Sequence, residues 1–287
     1  MEQSGNKTWS LTLLQAHVTD PERLLFNVLS RASRMFDVFG SYSPALLAFL
    51  ATLVLIGGIV RGFAGFGAGM IFMPVASSQI NPATAAATFL FIDGIIALPL
   101  VVRAMRICDW TTVLPVVIGS VLFVHLGAWL LANSDVLTLR WILFAVVTTM
   151  LALLVSGWRY QGQPTRSMSF GVGSVAGVLA GVSQVSAPPV VAFWLTGKEV
   201  PSVVRANLIV YFALASVGTF VAYILNGFFT INVWHLLVAA IPAYALGLFI
   251  GSRGFSRADP KYYRWLAYAL IALAALVSMP ALDPLLR

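Results

Sequence analysis

The stretch GGIVRGFAGFGAGMIFMP, residues Gly57 to Pro74, decides how this chain is read. Six glycines fall in its first thirteen residues, all in an apolar context. Each costs a helix about 1 kcal/mol relative to alanine, so the stretch reads as a broken helix rather than a continuous one. Irregular backbone at membrane depth is tolerated only where it is buried in protein or lines a cavity. A weaker copy, GVLAGVSQVSAPP, spans Gly177 to Pro189, with Gly58 and Gly62 matched by Gly177 and Gly181 at an offset of 119 residues. The chain then divides into two halves, each built around one break.

The chain has 287 residues, 60% hydrophobic and only 9% charged, with a mean hydropathy of +0.91. Soluble domains carry about 25% charged residues, so this composition implies a polytopic all-α membrane protein. The net charge of +7 does not indicate nucleic-acid binding, because the basic residues sit in short gaps between apolar runs, where they set orientation. Cys108 is the single cysteine, which excludes an intramolecular disulfide and a cysteine metal cluster. His17, His125 and His235 show no metal-ligand spacing, and no cofactor is expected. The first 43 residues are polar and mixed, and no cleavable signal is expected there.

Residues 1–43 read as an N-terminal tail, in which Pro21 to Phe39 could form an amphipathic interfacial helix or one packed on the protein's own surface. The first transmembrane repeat is expected over 44–158, a linker on the cytoplasmic side over 159–167, and the second repeat over 168–281. Each repeat is a glycine-broken or re-entrant segment plus three transmembrane helices, about eight membrane helices by simple count. Pro82 and Thr88 match Pro201 and Asn207 at the offset of 119, and Trp110, Gly127, Arg140 and Trp141 match Trp234, Gly251, Arg264 and Trp265 at 124. Repeats of this kind are characteristic of secondary transporters.

The gaps 103–110, 159–167, 197–205 and 252–264 hold ten Lys and Arg residues, while 133–140 and 226–230 hold only Arg140. The first set is expected to face the cytoplasm. Three spans per half then invert the two repeats relative to each other. The side of the tail stays open: outside if the first hairpin is re-entrant, inside if Pro44–Gly62 crosses fully.

No paired-carboxylate, nucleotide-loop or zinc spacing is present, and the chain is not expected to be an enzyme. GFAGFGAG superficially suggests a dinucleotide loop but follows an apolar helix rather than a strand. At this point the residues support a resemblance. The glycine-rich break from Gly62 to Gly69 followed by Pro74, the second break Gly177, Gly181 and Ala187-Pro188-Pro189, and the small-residue helices ending at Gly127 and Gly251 resemble the sulfite exporter TauE/SafE family of membrane permeases, over residues 44–280. The resemblance implies export of small anions: sulfite, organosulfonates and related sulfur oxyanions, across a bacterial inner membrane. Ser183, Gln184 and Ser186 stand where glycines are commoner in the family's second break.

The residues themselves suggest how an anion would be held. Backbone N–H groups at the N-termini of broken helices give donors and a positive field. The candidate substrate-binding residues are Gly65, Phe66 and Gly67 in the first break, Ser183, Gln184 and Ser186 in the second, and Thr88 and Asn207 in the following helices. The alternative for the glycines is close helix packing through small residues. Asp93, midway along an apolar run, is either a proton carrier or a structural hydrogen-bonding group. His125 carries the same two readings. Arg61, at the mouth of the first break, either attracts the anion or snorkels to the interface. The expected partners are a small anion, the lipid bilayer and protons as coupling ion, with no nucleic acid; a homodimer is one option for the oligomeric state. A channel-like pore for small anions or neutral solutes is the alternative function. A membrane scaffold is disfavoured by the small extramembrane content.

Overall fold

The computed structural model describes residues 42–64, 67–158, 162, 165–194, 200–254 and 260–282. The tail helix expected over Pro21 to Phe39, and the site candidates Gly65 and Phe66, lie outside the described residues. All regular structure in those residues is helical. In chain order the helices are α1 (Pro44–Ala64), α2 (Ala68–Ala76), α3 (Pro82–Ala104), α4 (Trp110–Asn133), α5 (Val136–Ser156), α6 (Arg166–Ser183), α7 (Ala187–Trp194), α8 (Pro201–Leu225), α9 (Ile231–Gly254) and α10 (Pro260–Ser278), with a last 3₁₀ turn at Pro280–Leu282.

The boundaries follow local chemistry. Pro82 and Pro201 open α3 and α8, where a missing N–H costs nothing. Side chains of Asn81, Asp109, Asp135 and Thr165 accept from first-turn amides of α3, α4, α5 and α6. Hydrogen bonds from Thr138 hold the exposed Asp135 carboxyl below its usual range. Five helices among the described residues, α1, α4, α5, α8 and α9, are long and apolar enough to cross a membrane. Exposed Leu122, Trp129, Leu137, Val217, Leu225 and Leu276 sit on outward faces that a bilayer would cover.

The first break is narrower than the glycine count suggests. α1 runs helical through Gly57, Gly58 and Gly62 to Ala64, and only residues 65–67 lie between it and α2. Packing accounts for the difference. A Cβ on Gly58 would meet the Tyr244 carbonyl of α9, and one on Gly62 the Leu248 carbonyl. Reciprocally, Gly247 and Gly251 lie against the carbonyls of Leu55 and Ile59. The same ladder joins α4 and α6: Gly173, Gly177 and Gly181 against the carbonyls of Val116, Ser120 and Val124, and Gly119 and Gly127 against those of Phe170 and Val178. Small residues four apart let two backbones approach along several turns, and these contacts offset the poor helix propensity. In both pairs the residue numbers rise together, so α1 runs parallel to α9, and α6 to α4.

α2 doubles back on α1, with Ala68 against Gly57. Its residues 68–76 are all buried, and Phe72 stacks on Phe89 of α3 at 5.5 Å between ring centroids. α7 occupies the corresponding place after α6. Its Phe193 and Trp194 pack with Val113 and Val116 of α4 and Val210 and Tyr211 of α8.

Candidate functional site

The two breaks meet at one cavity of about 50 Å³. A single water needs about 10–15 Å³ by the same kind of measure, so the space suits a few waters or one small polyatomic ion. It is far below the several hundred Å³ of a typical drug-sized pocket. Gly67, Ala68, Gly69 and Met70 line it from the start of α2, and Val185, Ser186, Ala187 and Pro188 from the start of α7. Ala180 and Gln184 contribute the end of α6, Phe89 and Asp93 come from α3, and Arg61 from α1. Phe212, Ala215, Ser216 and Thr219 of α8 close it.

Both short helices therefore present their N-termini to the same space. The first amides of a helix lack intrahelical acceptors, and the peptide dipoles make that end positive. The two ends are unequal. α2 brings Gly67, Ala68 and Gly69, whereas α7 has prolines at 188 and 189, which carry no N–H. Ser186 adds a hydroxyl on the α7 side. Gly67 has φ +99°, a left-handed conformation that glycine adopts without steric cost. A Cβ there would point at Val60 and Ile271, at 3.4 and 3.8 Å, and so into side-chain packing.

The charged partners of the cavity were not expected as a pair. Arg61 Nη2 donates to Asp93 Oδ2 at 3.0 Å, and the Tyr244 hydroxyl donates to Asp93 Oδ1 at 2.5 Å. Both side chains remain partly open, at 17% for Arg61 and 25% for Asp93. The guanidinium carbon also lies 5.6 Å from the centroid of the Phe212 ring, a cation–π distance. Arg61 thus lines the cavity, paired with Asp93. Arg61 and Asp93 lie 32 residues apart, and the sequence shows only a lone arginine and a lone carboxylate in adjacent apolar runs. Tyr244, which completes the cluster, carried no such signal.

Of the expected site residues, Gly67, Gln184, Ser186, Arg61 and Asp93 come together at the cavity. Three others are placed elsewhere. The Thr88 hydroxyl donates to the Thr84 carbonyl at 2.8 Å and lines a separate apolar cleft with Leu50, Val54 and Phe72. Asn207 Oδ1 accepts from the Asp109 amide at 2.8 Å, tying α8 to the start of α4. Ser183, fully buried, donates to the Leu179 carbonyl at 2.7 Å. In each case a backbone group hydrogen-bonds the side-chain oxygen, as buried polar atoms require. His125 lies on an exposed face of α4, away from the cavity.

Gln184 lines the cavity but has little donor capacity left. Its Nε2 donates to the Ala180 carbonyl at 3.0 Å and to the Tyr223 hydroxyl at 2.8 Å, and that hydroxyl donates to the Gly181 carbonyl at 2.9 Å. The residue caps α6 with φ 57°, in the left-handed region. These bonds tie the end of α6 to α8 beside the cavity. Gln184→Ala is expected to lower thermal stability by about 1–3 kcal/mol, the cost of leaving buried partners unsatisfied. Gln184→Gly should recover the part due to backbone strain. Melting temperatures of the two variants check this; equal losses would mean that strain contributes nothing.

Among the described residues, no cluster of three or more His, Cys, Asp or Glu side chains could hold a metal. Among the described residues, the cavity lining offers hydroxyl and backbone donors, one cation and one carboxylate. Neither the comparison with curated proteins nor that with solved structures finds a match to this chain. A family model described as "Sulfite exporter TauE/SafE" matches residues 49–278, which includes both breaks and every residue of the cavity. With its membrane-spanning helices and this match over most of its length, the chain is a multi-pass membrane protein that belongs to the sulfite exporter TauE/SafE family.

Proposed function

We propose that this protein is a secondary transporter, not an enzyme, that exports sulfite or small organosulfonates across a bacterial inner membrane by alternating access. The observation that carries the reading is the cavity between the two breaks. Two helix N-termini and one arginine converge on a space the size of a small oxyanion. Gly67 to Gly69 would bring backbone amides to the oxygens, Ser186 a hydroxyl, and Arg61 the charge, while Phe89, Phe212 and Ala215 would face any apolar part of a sulfonate. Saturable uptake of sulfite or methanesulfonate into proteoliposomes supports this reading. Flux that grows linearly with concentration, with ohmic anion current, would instead favour the pore.

The helix packing supports two inverted repeats. The first helix of each half lies parallel to the fourth element of the other, α1 on α9 and α6 on α4, through matching glycine ladders. The breaks then correspond, as do α2 and α7, and a pseudo-two-fold axis would pass through the cavity. Alternating access would follow from rocking one half against the other about that axis. The basic gaps support an orientation with Arg103 and Arg106 before α4, and Arg253 at the end of α9, on the cytoplasmic side. Because α1 runs parallel to α9, it would enter from the opposite side and α2 would return there, making the first hairpin re-entrant. In a Cys108→Ser background, cysteine at Ser252 should label only from the cytoplasm, and cysteine at Ser43 or Ser134 only from outside. Labelling of Ser43→Cys from the cytoplasm would overturn the re-entrant assignment.

A further inference from the structure

Anion capture alone does not need the cluster around Arg61. A cation reserved for substrate would have no carboxylate of the protein as its partner. Here its Nη2 already lies against Asp93 Oδ2, at the point where both breaks converge. An arriving anion meets a neutralised arginine and a negative carboxylate, and like charges a few ångströms apart in a poorly solvated space repel strongly. Tyr244 anchors the other carboxylate oxygen from α9, so Asp93 is held in place whether or not Arg61 remains beside it. Arg61 also has the face of Phe212 within cation–π distance, which can keep the guanidinium in the cavity once the carboxylate lets go.

We infer that Arg61 is shared between Asp93 and the transported anion, so that the anion is taken up together with one proton on Asp93. This rests on the transport reading above. The step is a simple one: a proton from water bonds to the carboxylate, the acid stays hydrogen-bonded to Tyr244, and Arg61 turns its N–H groups to the anion. Linkage makes the effect reciprocal, since an anion on Arg61 favours the protonated acid as much as protonation favours the anion. The ionisable groups facing Asp93 are Arg61 from α1 and Tyr244 from α9. Of the other helices packed on α3, α2 and α8 bring no ionisable side chain to the cavity among the described residues, and α4 and α5, which carry His125 and Arg140, contribute no residue to its lining. A monoanion and a proton moving together carry no net charge. Export would then follow the gradients of anion and proton jointly and draw nothing from the membrane potential.

The test is calorimetric titration of the purified full-length protein with methanesulfonate, and separately with sulfite. Methanesulfonate stays a monoanion between about pH 5 and 9, so any proton taken up there belongs to the protein. Buffers of different ionisation enthalpy report the proton count. Wild-type protein is expected to bind up to about tenfold more tightly per unit fall in pH, with uptake approaching about one proton per anion. Asp93→Asn should bind tightly at every pH with no uptake. Tyr244→Phe, which removes a donor to the carboxylate, should change the pH profile of binding. Wild-type binding without proton uptake, or Asp93→Asn with wild-type uptake, overturns the inference and leaves the transport reading standing. Should Asp93→Asn fail to fold, an unshifted profile in Tyr244→Phe overturns it equally. If neither anion binds the wild type, the transport reading falls and this inference with it.

Discussion

Valine at Gly173 is expected to unseat α6 from α4 and to cost the protein much of its stability. A Cβ at that position would meet the backbone carbonyl of Val116. No rotamer change can move a carbonyl inside a hydrogen-bonded helix, so the two helices must separate. Overpacking typically costs about 1–3 kcal/mol, and a backbone clash repeated along a ladder belongs at or beyond the top of that range. For a body of this size, a loss of about 3 kcal/mol is about 6–12 °C in melting temperature. Gly251→Val, against the Ile59 carbonyl on the other ladder, should behave alike. The control is Gly171, two residues away on α6, whose Cβ would meet nothing within 4 Å. Gly171→Ala should leave stability unchanged or slightly raised, through better helix propensity. Equal effects at Gly171 and Gly173 in a thermal-shift assay would mean that these glycines act through helix propensity and not through close approach.

Arg61→Gln should abolish binding of sulfite and methanesulfonate and also destabilise the fold. Breaking a buried ion pair by removing one partner costs about 3–5 kcal/mol, because the other charge is stranded. The partial exposure of both side chains to the cavity places this case at the lower end or below. The double variant Arg61→Gln/Asp93→Asn removes both charges together, so it should regain most of the stability and none of the binding. Affinity and melting temperature measured side by side separate the two roles. Arg61→Gln with wild-type affinity would place the anion elsewhere in the protein.

The membrane class and nearly every helix start could be read from the chain. Apolar runs, Pro82 and Pro201, and the polar residues before α3 to α6 act through local rules that need no partner. So could the presence of two breaks, though not how narrow they are, and the family resemblance that they carry. Glycine function could not be assigned the same way. Gly58, Gly62, Gly177 and Gly181 looked like helix breakers, yet they lie inside helices, because a backbone facing them from a helix distant in sequence occupies the space left by the missing side chain. Thr88 and Asn207 shared an offset but not a site, since each found a nearer backbone partner. The pairing of Arg61 with Asp93 and Tyr244 was decided only by tertiary structure. Those three residues come from α1, α3 and α9. A charge in an apolar run shows that some partner must exist, and only the packing of three helices determines which one lies within hydrogen-bonding reach.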